Sequence, residues 1–406
     1  MVKKVKKTKF AAIDVGTSKV CTIMADTSGV NGLRVLGVGT APSQGMHKGL
    51  VVNANEVSES IRESIRRAEK VAGVKLESAF VGVTGQHVNS INNQGAIAIT
   101  RNRQIIIPED LRRVIEVASS VNIPDEYKLL HIIPRSYKVD GQEGISNPVG
   151  MHGFRLDAEV HVITIAITSF QNLTKCIHGL GVEIAGLVLE PLASAEAVLT
   201  EDERQEGVML ADIGGGMTDI AVFKGGNVYC TSILPVSGYQ MTRDISIALG
   251  FSFEQAEEIK KQCGDITPGY DNKQRDKTLV QNGYTISCGE LSDIIKARTE
   301  ELLRLIMLEL PDKERSKLIP SGLVITGGCA NLPGIVEVAA AVTHLPVRIG
   351  TPSRLDGVSD VLLNPTYATG VGLILWQANK KDKPGWRIKG NAVTRFLNSA
   401  FKLLPK

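Results

Sequence analysis

Two segments of the chain share one pattern of apolar and polar positions. In each, an apolar run is followed by an aspartate, one apolar residue, a glycine and small or hydroxyl residues before a second apolar run (10–25 and 208–223). Two short apolar runs joined by a glycine turn predict a β-hairpin. The aspartates, Asp14 and Asp212, are 198 residues apart, about half the chain. The repeat therefore predicts two related halves that face each other.

The remaining periodicity predicts a mixture of helices and strands. Glu56–Val71 carries one apolar stripe at helical spacing, and Pro108 opens a second amphipathic helix. Proline and glycine positions set the ends of several elements. Further predicted helices are Gln171–Leu180, Thr242–Leu249, Glu254–Cys263 and Cys288–Leu310; predicted strands are Phe80–Val83, Ile91–Thr100, Ala158–Thr168, Ile184–Leu189 and Leu323–Ile325; predicted loops are Asp140–Gly153 and Pro268–Asn282.

Composition and charge limit the class of protein. The chain has 406 residues, 43% hydrophobic and 22% charged, so we expect two to four packed domains. Aromatic residues make up 4% and glycine 40 residues, which favours an α/β protein with many tight turns. A net charge of +3 is too balanced for a nucleic-acid-binding surface. Residues 379–406 hold eight Lys/Arg and one Asp, a charge of +7, so the rest carries −4.

The cysteines and apolar runs indicate a cytosolic protein. The six cysteines form no C-x-x-C pair and no Cys/His cluster with zinc spacing, so we expect reduced thiols. No apolar run approaches the length of a membrane-spanning helix. The basic N-terminus is followed at once by Asp14, Gly16 and Lys19, which interrupt any export signal.

The two predicted hairpin turns are candidate phosphate sites. Phosphates need backbone N–H donors that approach closely, and glycine turns supply them because no Cβ blocks the approach. Asp14 and Asp212 at the strand ends would hold Mg²⁺, mostly through water. Gly16 and Gly214–Gly216 would supply amides, and side-chain contacts would come from Thr17, Ser18, Lys19 and Thr218. The alternative is that each turn is only a tight hairpin, although a duplicated pair is harder to explain that way.

Three further positions are candidates for the same site. Gly327 and Gly328 follow a predicted strand and offer a flat backbone surface for an adenine ring. Glu257 and Lys260 share one helix face and would bond ribose hydroxyls; the alternative is a solvated ion pair. Glu190 ends a predicted strand, where a carboxylate can orient an attacking water, or it is only an acid in the first turn of a helix.

Two phosphate turns, a connecting helix and a Gly-Gly turn resemble the superfamily of actin, sugar kinases and heat-shock chaperones. Five further motifs resemble one family within it, the bacterial cell-division protein FtsA. They are Gly82–His87, Asn92–Gly95, Leu130–Gly141, Asn147–Gly153 and Leu189–Val198. The resemblance covers residues 8–378 and the tail, nearly the whole chain.

The resemblance implies an α/β, two-lobed actin-like fold, which is a duplicated ribonuclease-H-like fold, with an inserted α+β subdomain in the first lobe. It implies a protein that binds ATP and Mg²⁺ between the lobes, polymerises, and tethers FtsZ filaments to the cytoplasmic side of the cell membrane at the division septum. ATP hydrolysis would be weak at most, with Glu190 placing the water. The implied nucleotide-lining residues are Asp14, Gly16, Thr17, Ser18, Lys19, Asp212, Gly214, Gly215, Gly216, Thr218, Glu257, Lys260, Gly327 and Gly328.

The same resemblance divides the chain and suggests partners. The expected segments are the first-lobe core (8–84 and 165–200), the inserted subdomain (85–164), the second-lobe core (201–240 and 317–378), an outer subdomain (241–316), a basic linker (379–390) and a terminal helix (391–406). On the outer subdomain Lys296, Arg298 and Arg304 would meet the acidic C-terminal tail of FtsZ; the alternative is a solvated helix face. The chain itself, anionic lipid and later division proteins are further expected partners, and nucleic acid is not.

The C-terminal residues predict an amphipathic helix. An uninterrupted apolar stripe runs along 391–404, formed by Val393, Phe396, Leu397, Ala400, Phe401 and Leu404. Cationic flanks and a Pro/Gly-containing basic linker favour a helix lying in the surface of an anionic membrane. The alternatives are a terminal helix docked on the core and an RNA-binding segment. Each buried Phe or Leu contributes roughly 1.5–3 kcal/mol, while ordering a residue costs about 1 kcal/mol or more, so one helix would hold weakly. Polymerisation would make attachment stable through avidity.

Two other functions are compatible with the phosphate turns. A sugar or small-acid kinase of the same superfamily would need an aspartate base beside a substrate pocket and a larger insert, and neither is evident in the sequence. A pilus-assembly scaffold with the same core would not be expected to carry the amphipathic C-terminal helix.

Overall fold

The computed structural model describes residues 9–29, 32–100, 104–268, 278–281, 284–310, 315–352, 355–356 and 360–379. The predicted terminal helix 391–406 and nearly all of the basic linker lie outside these residues. The strands, in chain order, are β1 Lys9–Val15, β2 Lys19–Gly29, β3 Gly32–Pro42, β4 Met46–His47, β5 Leu50–Val51, β6 Ser78–Val83, β7 Val88–Ala98, β8 Tyr127–Val139, β9 Gln142–Ile145, β10 Arg155–Ala166, β11 Glu183–Leu189, β12 Val208–Ile213, β13 Thr218–Lys224, β14 Asn227–Leu234, β15 Thr278–Gln281, β16 Tyr284–Ser287, β17 Leu323–Thr326 and β18 Val347–Ile349.

The helices cover the sheets or connect them. Short 3₁₀ turns at Gly328–Asn331, Asp360–Leu363 and Pro365–Tyr367 complete the regular structure of the described residues. The helices are α1 Ala54–Ala72, α2 Pro108–Ala118, α3 Ile167–His178, α4 Glu190–Val198, α5 Glu201–Glu206, α6 Gly238–Leu249, α7 Phe253–Cys263, α8 Cys288–Leu308, α9 Arg315–Leu318, α10 Ile335–Thr343 and α11 Ala368–Asn379.

Two five-stranded sheets have the same topology. The orders are β3-β2-β1-β6-β11 and β14-β13-β12-β17-β18. In both, the first three strands are antiparallel and the last two join in parallel. This repeat confirms the predicted duplication, and both sequence hairpins are present as β1–β2 and β12–β13.

The pleat of the hairpin strands directs their aspartates toward the centre of the molecule. Side chains alternate between the two faces of a strand. Phe10 and Ala12 of β1, and Val208 and Leu210 of β12, belong to one central core that also includes α4 and α11. Asp14 and Asp212 lie on the same faces of their strands as these core residues, so their side chains also point inward. The odd-numbered residues pack outward, against helices α1 and α3 in the first lobe and α6, α7, α8 and α10 in the second.

The third sheet lies in the chain between β6 and β11. Its order is β7-β10-β8-β9, and α2 packs on one face around a separate apolar core that includes Ile106, Leu156 and Val160. The other face contacts β14 of the second lobe through polar groups. His161 has its ring nitrogens 2.6 Å from Asn92 Oδ1 and 2.9 Å from Thr231 Oγ1.

Two predicted loops contain strands. The pair β8–β9 places Gln142–Ile145 opposite the end of β8, inside the segment predicted as a loop at Asp140–Gly153. Likewise β15 lies within the predicted loop Pro268–Asn282. Short strands beside glycine and asparagine have too few positions to show alternation, and cross-strand pairing creates them.

Helices α4 and α11 cross at a point of close backbone approach. A Cβ placed on Gly372 would lie 1.8 Å from the Ala193 carbonyl oxygen and 2.3 Å from its carbon. Glycine is therefore required where the two helices that underlie both lobes meet. A Cβ on the neighbouring Gly370 would meet side-chain atoms of Ile23 and Cys21, the nearest being Ile23 Cδ1 at 3.0 Å.

We expect Gly372→Ala to destabilise the protein and Gly370→Ala to have little effect. Overpacking against backbone costs roughly 1–3 kcal/mol or more, which exceeds the gain of about 1 kcal/mol from replacing a helical glycine. Chemical denaturation monitored by circular dichroism measures both variants. Equal midpoints for the two would contradict the close crossing.

Candidate functional site

The two hairpin turns close in the same way. The Gly16 amide donates to the Lys19 carbonyl at 3.0 Å, and the Gly214 amide donates to the Met217 carbonyl at 2.9 Å. Each turn thus begins two residues after its aspartate and leaves small residues at its tip. The duplication therefore extends from the sheets to the backbone of the turns.

The turns contact each other across the interface between the lobes. A Cβ on Gly215 would lie 2.0 Å from Ser18 Oγ. A Cβ on Gly216 would lie 2.4 Å from Thr17 Oγ1 and 2.9 Å from its Cβ. The second-lobe turn is glycine-rich because the first-lobe turn occupies the space that side chains would need.

A cavity of about 460 Å³ lies beside these turns. Apart from Thr218, every residue that we predicted to line a nucleotide is found in its wall. Glu190 also lines it. The predicted residues in the wall are Asp14, Gly16, Thr17, Ser18, Lys19, Glu190, Asp212, Gly214, Gly215, Gly216, Glu257, Lys260, Gly327 and Gly328.

Thr218 departs from the sequence prediction. It is fully buried, and its hydroxyl donates to the Val236 carbonyl at 2.7 Å. It is the first residue of β13, and its side chain ties that strand to the segment before α6 instead of lining the cavity. A phosphate contact through the Thr218 hydroxyl is therefore corrected to a structural role.

Four buried carboxylates line the cavity: Asp14, Glu190, Asp212 and Asp219. Burial raises the pKa of Asp14 to about 6, with Lys19 opposing and Asp212 adding to the rise. Burial and repulsion from the neighbouring carboxylates hold the pKa of Glu190 well above its ordinary value. Burial likewise raises the pKa of Asp212, although Ser194 and Thr369 donate to it at 2.5 and 3.1 Å. This wall is poised to receive positive charge.

The arrangement fits Mg²⁺ bound mostly through water. Within the described ranges, no three His, Cys, Asp or Glu side chains come together as a metal-binding group. Mg²⁺ commonly keeps several waters and takes one or two carboxylates plus phosphate oxygens. Asp14 and Asp212, buried in one cavity wall, are the carboxylate pair that could hold such an ion.

Lys19 lies beside these acids. Its ammonium donates to the Thr366 carbonyl at 2.5 Å and sits 3.9 Å from the centre of the Tyr367 ring. Burial lowers the pKa of Lys19, while Asp14 raises it. It is the cation nearest in sequence to the first glycine turn, and it lines the cavity.

Glu257 and Lys260 form a partly buried pair in the cavity wall. Their side chains are 26% and 13% exposed, and Lys260 Nζ is 2.7 Å from the Glu257 carboxylate. Lys260 also donates to the Gly238 carbonyl and the Thr242 hydroxyl at 3.0 and 2.7 Å. Burial alone would raise the pKa of Glu257, but Lys260 lowers it overall. The pair differs from a solvated surface ion pair.

The third glycine turn leaves an open backbone surface. A Cβ on Gly328 would meet nothing within 4 Å, whereas Gly327 adopts φ +85° close to Asp212. Asn331 stabilises the turn by donating to the Gly328 carbonyl at 3.1 Å and to Thr366 Oγ1 at 3.0 Å. The exposed peptide of Gly328 is a flat surface on which a ring can lie.

Sequence reasoning missed Asp219 and Thr84. Thr84 Oγ1 donates to Asp219 Oδ1, a hydrogen bond between the first lobe and the second. Asp219 pairs directly opposite Asp212 in the β12–β13 hairpin. The predicted hairpin would have indicated Asp219, because pairing the strands outward from the glycine turn places it opposite Asp212. No feature of the sequence near Thr84 indicates that it contacts Asp219.

Two of the three predicted partner residues on α8, Arg298 and Arg304, already have acidic neighbours. Arg298 donates to both oxygens of Asp244 at 2.5 and 3.0 Å and to Glu301 at 2.5 Å. Arg304 donates to Glu300 at 2.9 Å, and Lys296 is half-buried. An acidic peptide at this face would compete with these carboxylates.

In the part of the chain that the structure describes, no helix has the length and apolar character needed to cross a membrane.

Two family models match the chain. The model described as "SHS2 domain inserted in FTSA" matches residues 85–164, and "Cell division protein FtsA" matches residues 209–372.

Curated proteins named cell division protein FtsA are similar over most of their length. That of Pseudomonas aeruginosa is 40% identical over 92% of this chain and 90% of its own. That of Bacillus subtilis is 38% identical over 90% of this chain and 82% of its own. That of Escherichia coli K12 is 34% identical over 92% of this chain and 91% of its own.

Solved structures share the fold at low sequence identity. The PilM–PilN type IV pilus biogenesis complex aligns with a TM-score of 0.64 and 17% identity, over 90% of this chain and 98% of that one. Spiroplasma citri MreB5 bound to AMPPNP aligns with a TM-score of 0.54 and 14% identity. The alignment covers 92% of this chain and 97% of that one. The duplicated sheets and these neighbours confirm the predicted two-lobed actin-like fold with an inserted α+β unit.

Proposed function

Because this chain belongs to the FtsA family of cell-division proteins, we propose that it binds Mg²⁺–ATP between its lobes, polymerises, and anchors FtsZ filaments to the cytoplasmic membrane at the division septum. One observation supports the proposal that the chain binds a nucleotide. The two duplicated glycine turns touch at Gly216 and Thr17, beside a cavity of about 460 Å³ that is lined by acids from both lobes. A ligand held by both turns would couple the positions of the two lobes.

The walls of the cavity assign a role to each part of the nucleotide. Backbone amides of the turns at Gly16 and Gly214–Gly216 would hold the phosphates, with Lys19 as the neutralising cation. Asp14 and Asp212 would hold Mg²⁺ through its waters. The open peptide at Gly328 would carry adenine, and the Glu257–Lys260 pair would bond the ribose hydroxyls.

Slow hydrolysis is the expected chemistry. Glu190 begins α4 and lines the same cavity as both phosphate turns. When ionised, it can orient a water and accept its proton. Its raised pKa makes it a stronger base than an ordinary glutamate, but a larger fraction is protonated near neutral pH. Mg²⁺ would neutralise charge on the phosphates and favour the ionised carboxylates around it.

Membrane attachment would come from residues 391–406. The apolar stripe of Phe396, Leu397, Phe401 and their neighbours would bury in the lipid surface, with the basic linker attracted to anionic headgroups. One helix binds weakly, so polymerisation on ATP would stabilise attachment through many helices on one surface. The outer subdomain, with Lys296, Arg298 and Arg304, would receive the acidic FtsZ tail by exchanging internal ion pairs for ones with the peptide.

Co-sedimentation with anionic liposomes, FtsZ and ATP tests the proposal. We expect the full chain to carry FtsZ into the liposome pellet, and a chain ending at residue 390 to leave FtsZ in the supernatant while still binding ATP in calorimetry. FtsZ lacking its C-terminal tail is the matched control. A full chain that neither binds ATP nor pellets with liposomes would refute the proposal. A substrate-stimulated phosphoryl transfer would favour the kinase instead.

A further inference from the structure

A second, small cavity lies directly behind Glu190. Its volume is about 20 Å³, and it shares Val15, Gly49, Thr84 and Glu190 with the main cavity. The remaining wall comes from β4, β5, β6, β10, β11 and α3, and it also includes His87. Glu190 therefore separates two spaces: the proposed nucleotide site in front, and this second cavity behind.

One buried polar atom at this cavity has no hydrogen-bond partner within the described part of the chain. His87 Nδ1 is buried, and no hydrogen-bonding group of the described residues reaches it. Glu190 is 7% exposed and lines the same cavity. Buried polar groups are normally satisfied by protein or by ordered water. His87 and Glu190 both line the cavity, so a water bound there can satisfy His87 Nδ1 and also donate to the Glu190 carboxylate.

The segment Gly82–His87 is shaped around these two side chains. A Cβ on Gly82 would lie 3.1 Å from Cγ and from Oε1 of Glu190. A Cβ on Gly85, whose φ is +130°, would lie 2.6 and 2.7 Å from Cε1 and Nδ1 of His87. The two glycines thus leave room for one acid and one imidazole. This gives a physical reason for a motif that the proposed nucleotide contacts leave unexplained.

We propose that His87 is a positioning residue for Glu190, acting through one water held in the second cavity. The water donates one hydrogen to His87 Nδ1 and the other to the near oxygen of the Glu190 carboxylate. The far oxygen then points into the main cavity, where the proposed function needs it to orient the attacking water. A space of about 20 Å³ exceeds the roughly 10–15 Å³ that one water requires.

The state of the imidazole agrees with this arrangement. Burial lowers the pKa of His87, which favours the neutral ring. A neutral imidazole accepts at only one nitrogen. If Nδ1 accepts from the water, then the proton is on Nε2. The consequence for hydrolysis rests on the proposed function, whereas the proposed link from His87 through water to Glu190 does not depend on nucleotide.

The link is tested first by ¹⁵N NMR of histidine in the full chain without nucleotide. We expect the His87 nitrogens to report a neutral ring with the proton on Nε2, and the Nδ1 signal to move when Glu190→Leu removes the water's second acceptor. Glu257→Leu is the matched control, because Glu257 lines only the main cavity. A proton on Nδ1, or a His87 signal that is the same in Glu190→Leu and the original chain, overturns the proposal.

Kinetics separate positioning from packing. His87→Gln keeps a polar acceptor, whereas His87→Phe keeps a ring without one. We expect both to bind ATP within about twofold of the original chain, because His87 does not line the main cavity. Single-turnover hydrolysis should fall roughly tenfold or more in His87→Phe and clearly less in His87→Gln. The reverse order would mean that His87 only fills space, and would overturn the proposal.

The two arms distinguish the possible failures. If the original chain fails to bind ATP, the proposed function fails, and the NMR comparison still decides the link between His87 and Glu190. If ATP binds and hydrolysis is slow, the ratio between the two His87 variants decides the role in hydrolysis.

Discussion

Gly216→Ala is expected to weaken ATP binding by at least about 100-fold, equivalent to roughly 2.7 kcal/mol. The added methyl carbon would lie 2.4 to 2.9 Å from three atoms of Thr17, including its Cβ, so the two turns must separate. Amides from both turns could then no longer contact one polyphosphate at the same time. Isothermal calorimetry with Mg²⁺–ATP measures the loss.

A control for Gly216→Ala comes from a glycine outside the cavity. Gly179 ends α3 with an ordinary helical φ of −60°, and a methyl group there meets the Lys175 carbonyl at 3.2 Å. Gly179→Ala should bind ATP like the original chain. If Gly216→Ala also bound ATP normally while remaining folded, the contact between the turns would not hold the nucleotide.

Asp14→Asn is expected to stabilise the nucleotide-free protein and to weaken Mg²⁺–ATP binding. The pKa of Asp14 rises from 3.8 to about 6 on folding, chiefly through burial. Such a rise corresponds to roughly 3 kcal/mol against the ionised form at pH 7. Replacing the acid with its neutral amide removes this cost, but it also removes half of the carboxylate pair proposed for Mg²⁺.

The same shift predicts the direction of the pH dependence. Between pH 4 and pH 6 the folded state holds the Asp14 proton more tightly than the unfolded state does. The free energy of unfolding should therefore fall as pH rises through this window, and the raised pKa values of Asp212 and Glu190 act in the same direction. Above the folded pKa the full cost is present, and Asp14→Asn has its largest effect there.

Thermal unfolding of the nucleotide-free chain at pH 4.5 and pH 7.5 checks this, because the two values lie on either side of the window in which Asp14 titrates. The original chain should gain stability on acidification, and Asp14→Asn should show a smaller gain from a higher starting point. Asp125→Asn, at an exposed position, should change neither the unfolding midpoint nor its dependence on pH. A lower midpoint for Asp14→Asn at pH 7.5 would mean that Lys19 compensates the charge more strongly than burial penalises it.

Much of the architecture could be predicted because its signals are local. The hairpin aspartates sit at a fixed offset from glycines, and their alternation with Phe10 and Val208 determines the face on which they lie. The amphipathic stripe of α1 is long enough to show helical periodicity, and the predicted Glu56–Val71 agrees with the observed Ala54–Ala72. Such elements depend on contacts made within one or two turns of the chain.

Other parts of the site depend on distant residues. Thr218 has a hydroxyl that could contact a phosphate, but the path of the chain before α6 brings the Val236 carbonyl to that hydroxyl. Thr84 meets Asp219 across 135 positions of sequence, and nothing in either segment indicates the other. Arg298 looks like a free cation on a helix until α6 places Asp244 beside it.

The sequence by itself determined that this protein has two related lobes, that each carries an acidic glycine turn, and that residues 391–404 carry apolar positions at helical spacing, because periodicity and turn chemistry are properties of neighbouring residues. Only the tertiary structure decided that the turns touch at Gly216 and Thr17 and that His87 lies behind Glu190. Both depend on how whole sheets and helices pack, which is set by the sum of many weak contacts between segments far apart in the chain.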